Sequence, residues 1–458
     1  MMRIALLLVA ALCLKAAEPV DSIWSAKYVV TMDAERRVID DGAVAVRGER
    51  IVAVGKRAEI ERLYKPRRRL ARPQSLIAPG LINTHTHAPM SLFRGLAGDL
   101  RLEEWLEKYI FPAERKNVDA EFVKWGTRLA CLEMALSGTT TYTDMYYFEE
   151  VVAAETKRAG LRGVLGQTVI GFPAPDAATP RDALARAERF IAQYRNDPLI
   201  VPAVAPHAIY TTPDDALKAS RALANRYGVP MLIHLSETKR ENADSLAKRK
   251  MTPTAVLDSL GALNGRTLGA HGIWLDGNDL RILKERGTGL AHCPSSNSKL
   301  ASGVARVPRI LAMGIPMGLG TDGFAGSNDD ANLFEEMDLA AKLQKVTNLD
   351  PELLPATQAL AMATITGARA LGLDKEIGSL EAGKRADMIT VMVNAPNAIP
   401  MYHVMAQMVY ALKGADVNDV MVNGREIVRD RRMLTLDSVE IGRKVSENQA
   451  RISESLRH

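Results

Sequence analysis

Two hydrophobic rhythms divide the chain. Short apolar and β-branched runs recur at 28–32, 42–46 and 50–54, separated by turn signals at Asp41-Gly42 and Arg47-Gly48-Glu49. Bounded runs of this kind predict short strands. The same pattern returns at 386–393 and 419–424. The two chain ends are therefore expected to build one small β-sandwich domain, over 18–75 and 376–435. Between them lie eight apolar runs, at 75–82, 138–143, 163–166, 200–204, 229–233, 267–270, 289–291 and 315–319. Helical stretches such as 179–194 and 212–226 fill the gaps. Both open on Thr-Pro, a capping hydroxyl followed by a proline suited to the first helical turn. Strands alternating with helices imply a parallel sheet with its helices outside. The predicted class is α/β: a TIM-like (β/α)8 barrel over 76–375 and a closing helix over 436–458.

Composition changes little in this picture. The 458 residues are 47% hydrophobic and 25% charged, with a net charge of +5 and a pI near 9.0, as in ordinary globular enzymes. The densest basic run, Lys65-Pro66-Arg67-Arg68-Arg69, has no interleaved aromatics for stacking bases. It reads as a solvated surface loop, and no nucleic-acid partner is expected. At the N-terminus Arg3 precedes an apolar run over 4–14 and then Lys15-Ala16-Ala17. That reads as an export signal over 1–17, too short for a membrane span, which needs roughly 20 apolar residues. The expected location is periplasmic or extracellular, or cytoplasmic if the leader is kept. Beyond the leader only Cys131 and Cys293 remain, too few for a disulfide framework.

The chemistry sits where the apolar runs stop. Thr84-His85-Thr86-His87, Ile233-His234-Leu235-Ser236-Glu237 and Gly320-Thr321-Asp322-Gly323 each follow a predicted strand. In a parallel barrel the functional groups stand at the C-terminal strand ends. A His-x-His pair on a strand puts both rings on one face. Two such rings can hold one divalent cation, with a third His and an Asp from distant strands completing the shell. Other strand ends carry Asp144, Gln167, His207, His271 and His292.

The segment 79–87 (PGLINTHTH), together with Gly320-Thr321-Asp322-Gly323, resembles the amidohydrolase superfamily. The tail 377–388 (IGSLEAGKRADM) is similar to the segment by which its cyclic-amidine branch re-enters the small sheet domain. More narrowly, 85–114 (HTHAPMSLFRGLAGDLRLEEWLEKYIFPAE) and His234-Leu235-Ser236-Glu237-Thr238 resemble the methylthioadenosine/S-adenosylhomocysteine deaminases and their chlorohydrolase relatives.

The resemblance implies that His85, His87, His234 and Asp322 ligate one divalent metal, zinc first and iron second. No lysine stands at the end of the fourth strand, where Pro206-His207 lies, so a carboxylated-lysine bridge between two metals is not expected. Glu237 is implied as the proton shuttle, and His271, with Asp322, as the group that orients the attacking water. Trp105, Glu114, Gln167 and His207 match substrate-contacting positions. For Trp105 a packing aromatic, and for Glu114 a solvated helix carboxylate, stay open as alternatives. The implied reaction is hydrolytic deamination of an adenosine-type nucleoside to its inosine analogue and ammonia. Within the same fold, guanine, a pterin, a triazine or a cyclic amide are rival substrates. A non-catalytic binding relative is disfavoured, because every proposed ligand and Glu237 are retained. The expected partner is a small purine nucleoside, with the oligomeric state, homo-oligomer included, left open.

Overall fold

A computed structural model describes residues 17–457. The leader read over 1–17 lies, but for Ala17, outside the described residues. Eight parallel strands form the barrel: β1 Leu81–His87, β2 Thr139–Tyr146, β3 Arg162–Val169, β4 Ile200–Pro206, β5 Met231–Leu235, β6 Thr267–His271, β7 Gly289–His292 and β8 Met317–Leu319. The sheet closes where Leu319 pairs with Asn83, and two more residues, Asp322–Gly323, run on in parallel register with Thr86 and His87. These strands are almost wholly buried, as parallel strands covered on both faces must be. Ile82, Val164, Leu232, Leu268 and Ala291 fill the barrel interior. Ala368, Leu371 and Ile377 pack beneath them and plug the end away from the functional groups.

Both chain ends build the second sheet, in the spatial order 432–433, 425–429, 417–422, 388–392, 64–79, 18–30, 38–47, 50–56. Its middle strand, Tyr64–Pro79, runs parallel to Glu18–Val30 and antiparallel to Met388–Met392, so it joins the N-terminal and C-terminal halves. Trp24, Val29, Val44, Ile77 and Met388 form its core.

Three expectations change. The apolar run 75–82 is not one strand: Pro79 ends the small sheet and Leu81 begins the barrel, with Gly80 as the switch. Gly80 N donates to Asp387 O at 3.0 Å, and a Cβ there would lie 2.1 Å from the Thr140 side chain. Continuous hydrophobicity hid the break because both sheets bury their share of the run. The basic run is strand, not loop. Arg67 pairs with Asp21, Arg68 with Glu426 and Arg69 with Glu61, so the charge is balanced by neighbours. Thr179 caps Pro180–Tyr194 as expected, but the next helix begins at Asp214, and Thr212 instead donates its hydroxyl to Val169 O at 3.2 Å.

Barrel and sheet are tied by a buried ion pair. Arg162, at the start of β3, meets Asp387 at 3.1 Å, and Asp387 Oδ1 also accepts from Asn423 N at 2.6 Å. The C-terminal helix Ser438–Ser455 lies along Ala120–Leu136, burying Ile441 and Ile452. No helix among the described residues is long and apolar enough to cross a membrane.

The switch at Gly80 gives a direct test. Gly80→Ala should cost about 1–3 kcal/mol through overpacking against Thr140, read as a lower urea midpoint with an unchanged slope. Wild-type stability would show that the two sheets tolerate displacement at this point.

Candidate metal centre

His85 and His87 project from the end of β1, His234 from β5, and Asp322 from the short extension after β8. One donor atom from each lies within 4.8 Å of all the others. Nε2 of His85 and of His87 stand 3.2 and 3.3 Å from Asp322 Oδ1, and Nε2 of His234 stands 3.3 Å from Nε2 of His87. Bonds of about 2.0–2.1 Å to one tetrahedral ion would put donors about 3.3 Å apart.

Hydrogen bonds aim these rings. His87 donates Nδ1–H to Met145 O at 2.7 Å, and His234 donates Nδ1–H to His207 O at 2.9 Å. A carbonyl only accepts, so in neutral rings both Nε2 atoms carry lone pairs. Two lone pairs facing across 3.3 Å repel unless a proton or a metal ion lies between them. The buried Nε2 of His85 likewise has no hydrogen-bond partner. Burial holds His85 down to about 4 and His234 well below the usual range, so both are neutral donors at pH 7. Burial works on His87 the same way, but Asp322 outweighs it and lifts the ring to about 9. Burial pushes Asp322 up, yet the imidazoles of His85 and His87 close to its Oδ1 hold it well below the carboxylate range. Three imidazoles and one carboxylate in a dry pocket fit a borderline-soft divalent ion rather than calcium or magnesium.

Around the centre stand the groups of the expected machinery. Glu237 is buried, with Oε1 unpartnered and Oε2 3.7 Å from Nε2 of His271. Burial raises its carboxyl. His271 bonds through Nδ1 to Asn297 Oδ1 at 2.9 Å, which turns Nε2 toward the site. Asp322 Oδ2 accepts from the Ser296 hydroxyl at 2.6 Å. Ser236, His271 and Asp322 all hold left-handed backbones, with φ of 50°, 73° and 64°. Strained non-glycine residues at roughly 1–3 kcal/mol each gather at functional sites.

Beside His87 a small cavity of about 40 Å³ is lined by Trp105, Phe111, Glu114, Thr168 and His207, among others. Glu114 is buried rather than solvated. It accepts from the Tyr146 hydroxyl at 2.7 Å and the Tyr147 hydroxyl at 3.5 Å, and burial lifts it to about 7. Trp105 is buried with an unpartnered indole N–H. His207 joins Nδ1 to the Thr211 hydroxyl at 2.8 Å, and burial lowers it to about 3.

Gln167 departs from its expected place. Its amide donates to Asp176 Oδ2 at 2.8 Å, and the side chain does not line the cavity; the next residue, Thr168, does. Strand alternation points the two neighbours to opposite faces.

Sequence reading missed Asn297, Ser296, Tyr146, Tyr147 and Glu241. Only Glu241 carried a usable signal, Thr238-x-x-Glu241 ahead of a helix. Thr238 caps Lys239–Arg249, and the Glu241 carboxylate accepts from Glu237 N at 2.7 Å and Ser236 N at 3.3 Å. It thereby fixes the backbone that presents Glu237.

An amidohydrolase family model matches residues 76–427, and an imidazolonepropionase-like composite domain of bacteria matches 42–64. A 5-methylthioadenosine/S-adenosylhomocysteine deaminase of Syntrophus aciditrophicus is 43% identical over 440 residues, 96% of this chain and 99% of that protein. The crystal structure of an adenosine deaminase from Xanthomonas campestris with bound zinc superimposes with a TM-score of 0.93. It is 38% identical, over 96% of this chain and all of that one. A zinc-complexed atrazine chlorohydrolase of Arthrobacter aurescens, 23% identical, shares the fold at a TM-score of 0.85 over 93% of this chain and all of that one.

Glu241→Leu should leave two buried backbone N–H groups without an acceptor, at about 1–3 kcal/mol each. Thermal unfolding of the purified variant checks this, and an unchanged midpoint would mean that Glu241 does not hold the Glu237 backbone.

Proposed function

Because the chain belongs to the amidohydrolase family, we propose that it is a metal-dependent hydrolase that deaminates an adenosine-type nucleoside. The observation that carries the reading is the unpartnered, buried Glu237 carboxyl beside four converging donors. His85, His87, His234 and Asp322 would hold one zinc ion, their three nitrogens and one oxygen suiting it. When bound, the ion supplies Lewis acidity and makes water nucleophilic at neutral pH.

The side chains do the rest. His271, with Nδ1 committed to Asn297, keeps Nε2 free to orient the attacking water. Glu237 takes a proton from that water and delivers it to the ring nitrogen next to the amino-bearing carbon. Protonation draws electron density from the ring and makes the carbon electrophilic, so the water oxygen adds there and the ring gives up its aromaticity. The shuttle then carries the remaining proton of the added hydroxyl to the amine; the C=O bond forms as the C–N bond breaks, so water and the aminopurine become the oxopurine and ammonia. A carboxyl raised by burial holds its proton more tightly than one in water and moves it over short distances. His207, neutral at pH 7, offers a ring nitrogen to the purine, Trp105 packs against the substrate, and Glu114 accepts from the ribose diol.

The 5′ end of the substrate follows from what the cavity lacks. Among the described residues, none lining it is Lys or Arg, Gln167 is engaged with Asp176, and Arg249 of the adjoining cavity, which shares Leu106 and Phe111, is paired with Asp214 at 2.7 Å. A carboxylate on the substrate would find no bidentate cation there. The preferred substrates are adenosine derivatives with small uncharged 5′ groups: methylthioadenosine, 5′-deoxyadenosine and adenosine.

Purified protein should carry close to one equivalent of zinc, and His85→Ala or Asp322→Ala should lose metal and activity together. Elemental analysis giving two equivalents would exclude the single-ion site. Glu237→Gln should keep the metal while kcat falls about 10²–10⁴-fold; undiminished turnover would remove Glu237 from the mechanism. Spectrophotometric kcat/KM values should rank methylthioadenosine above S-adenosylhomocysteine. The reverse order would refute the charge argument, and no activity on any adenosine would transfer the case to guanine, a pterin or a triazine.

A further inference from the structure

Two carboxyls behind the site have no role in this mechanism. Asp144 and Glu149 are both fully buried, at the end of β2 and the start of the helix Glu149–Ala159. Asp144 Oδ1 accepts from the Thr86 hydroxyl at 2.7 Å and from Ala88 N at 2.5 Å. Those residues flank His87 in the chain. The next residue, Met145, accepts from His87 Nδ1. The end of β2 thus grips His87 before, after and through its own ring. Glu149 Oε1 accepts from Tyr146 N at 2.8 Å, so it pins the same strand end from the other side. Asp144 Oδ2 and Glu149 Oε2 are buried with no hydrogen-bond partner among the surrounding groups, and the two carboxyls lie close enough to act on each other directly.

Two ionised carboxylates do not share a dry site; one keeps its proton. Burial and the neighbouring Asp144 raise Glu149 well above the carboxylate range, which makes it the one that keeps its proton. Asp144 then keeps the charge that its two donors, the Thr86 hydroxyl and Ala88 N, favour. The turn leading into Glu149 is itself held in place. Phe148 has a φ of 55°, and its N–H donates to Asp176 at 2.8 Å.

We propose that Asp144 and Glu149 act as one unit that positions His87 for metal binding. Neither touches substrate or metal; both are positioning residues. The inference rests on the metal-site reading, which zinc binding by the unaltered protein tests separately.

The test is zinc affinity of the full-length, metal-free protein by chelator competition, beside thermal unfolding of the same samples. Glu149→Gln replaces the acid O–H with an amide N–H and keeps the acceptor for Tyr146 N, so its Kd should stay within about threefold of the unaltered protein. Glu149→Ala should weaken zinc binding about 10–100-fold, the usual effect of losing an outer partner of a metal ligand. Thr86→Val keeps the shape but removes one donor to Asp144, and should weaken binding several-fold. A purely structural role would lower the unfolding temperature and leave the Kd of folded Glu149→Ala and Thr86→Val unchanged; that result overturns the inference. So does a Glu149→Gln variant that loses zinc as fully as Glu149→Ala. If Glu149→Ala does not fold, Thr86→Val and Glu149→Gln still decide. No zinc binding by the unaltered protein would remove the metal reading itself.

Discussion

The site depends on the closure of the barrel between its first and last strands. Only there do the His-x-His strand and Asp322 share a register, Thr86 beside Asp322 and His87 beside Gly323. The seam is held by Asn83, whose amide donates to the Thr321 hydroxyl at 2.8 Å and whose oxygen accepts from Thr321 N at 3.1 Å. It also requires missing side chains. A Cβ on Gly318 would lie 2.3 Å from Thr84 Cγ2, and one on Gly320 would lie 2.8 Å from His85 Cβ. The glycines that look like loosening in β8 are what let two strands approach closely enough for Asp322 to reach both histidines. Closure therefore sets the donor geometry, and the left-handed backbone of Asp322 is the local strain that the seam sustains.

Burial then dictates the electrostatics. Glu114, Glu237 and Glu241 lie in or beside the site, Glu336 beyond it, all almost without solvent, and burial raises each of them. What distinguishes them is the number of donors each has. Glu241 has two backbone N–H groups, Glu336 has Ser295 N and the Asn328 amide, and Glu114 has two phenols. Glu237 has one oxygen with no partner. A buried polar atom without a partner is costly, and a proton-moving group is where that cost serves a purpose. Glu241 and Glu336, each with two donors, hold neighbouring backbone and side chains, and Glu237, left short, is the carboxyl of the four to which the proposed proton transfer is given.

The legible parts of this protein were those whose signal is local. His-x-His at a strand end, a third His and an Asp after later strands, and eight apolar runs at helix-spaced intervals are all visible to periodicity. The sheet switch at Gly80 was not, because hydrophobicity runs unbroken through a residue that changes partners. The arginines of 67–69 were misread as loop, since two of their balancing carboxylates, Asp21 and Glu426, are distant in sequence and the third, Glu61, lies on the preceding helix. Gln167 and Thr168 show a sharper limit. Motif position gives the strand end, but a single step along a strand decides which side chain faces the cavity. The outer partners Asn297, Ser296 and Tyr146 act through hydrogen bonds between separate βα units, and no spacing rule brings them together.

Two kinds of element share the site, and they answer to different constraints. The donor atoms and the proton-moving groups stand on or immediately after strand ends, where the barrel fixes them. The residues lining the cavity beside them come largely from connections: Trp105 and Phe111 from the segment after β1, His207 from the turn after β4. Strand ends cannot shift without opening the barrel, whereas connections can be replaced piece by piece. That division explains how an atrazine chlorohydrolase at 23% identity shares this fold while the likeness alone says nothing of a common substrate. It also locates the substrate question. On the proposed reading, the room and charge offered to the part of the substrate beyond the purine are set by the cavity lining, Thr168, Glu114 and residues of the 105–111 segment, none of which supplies a metal donor.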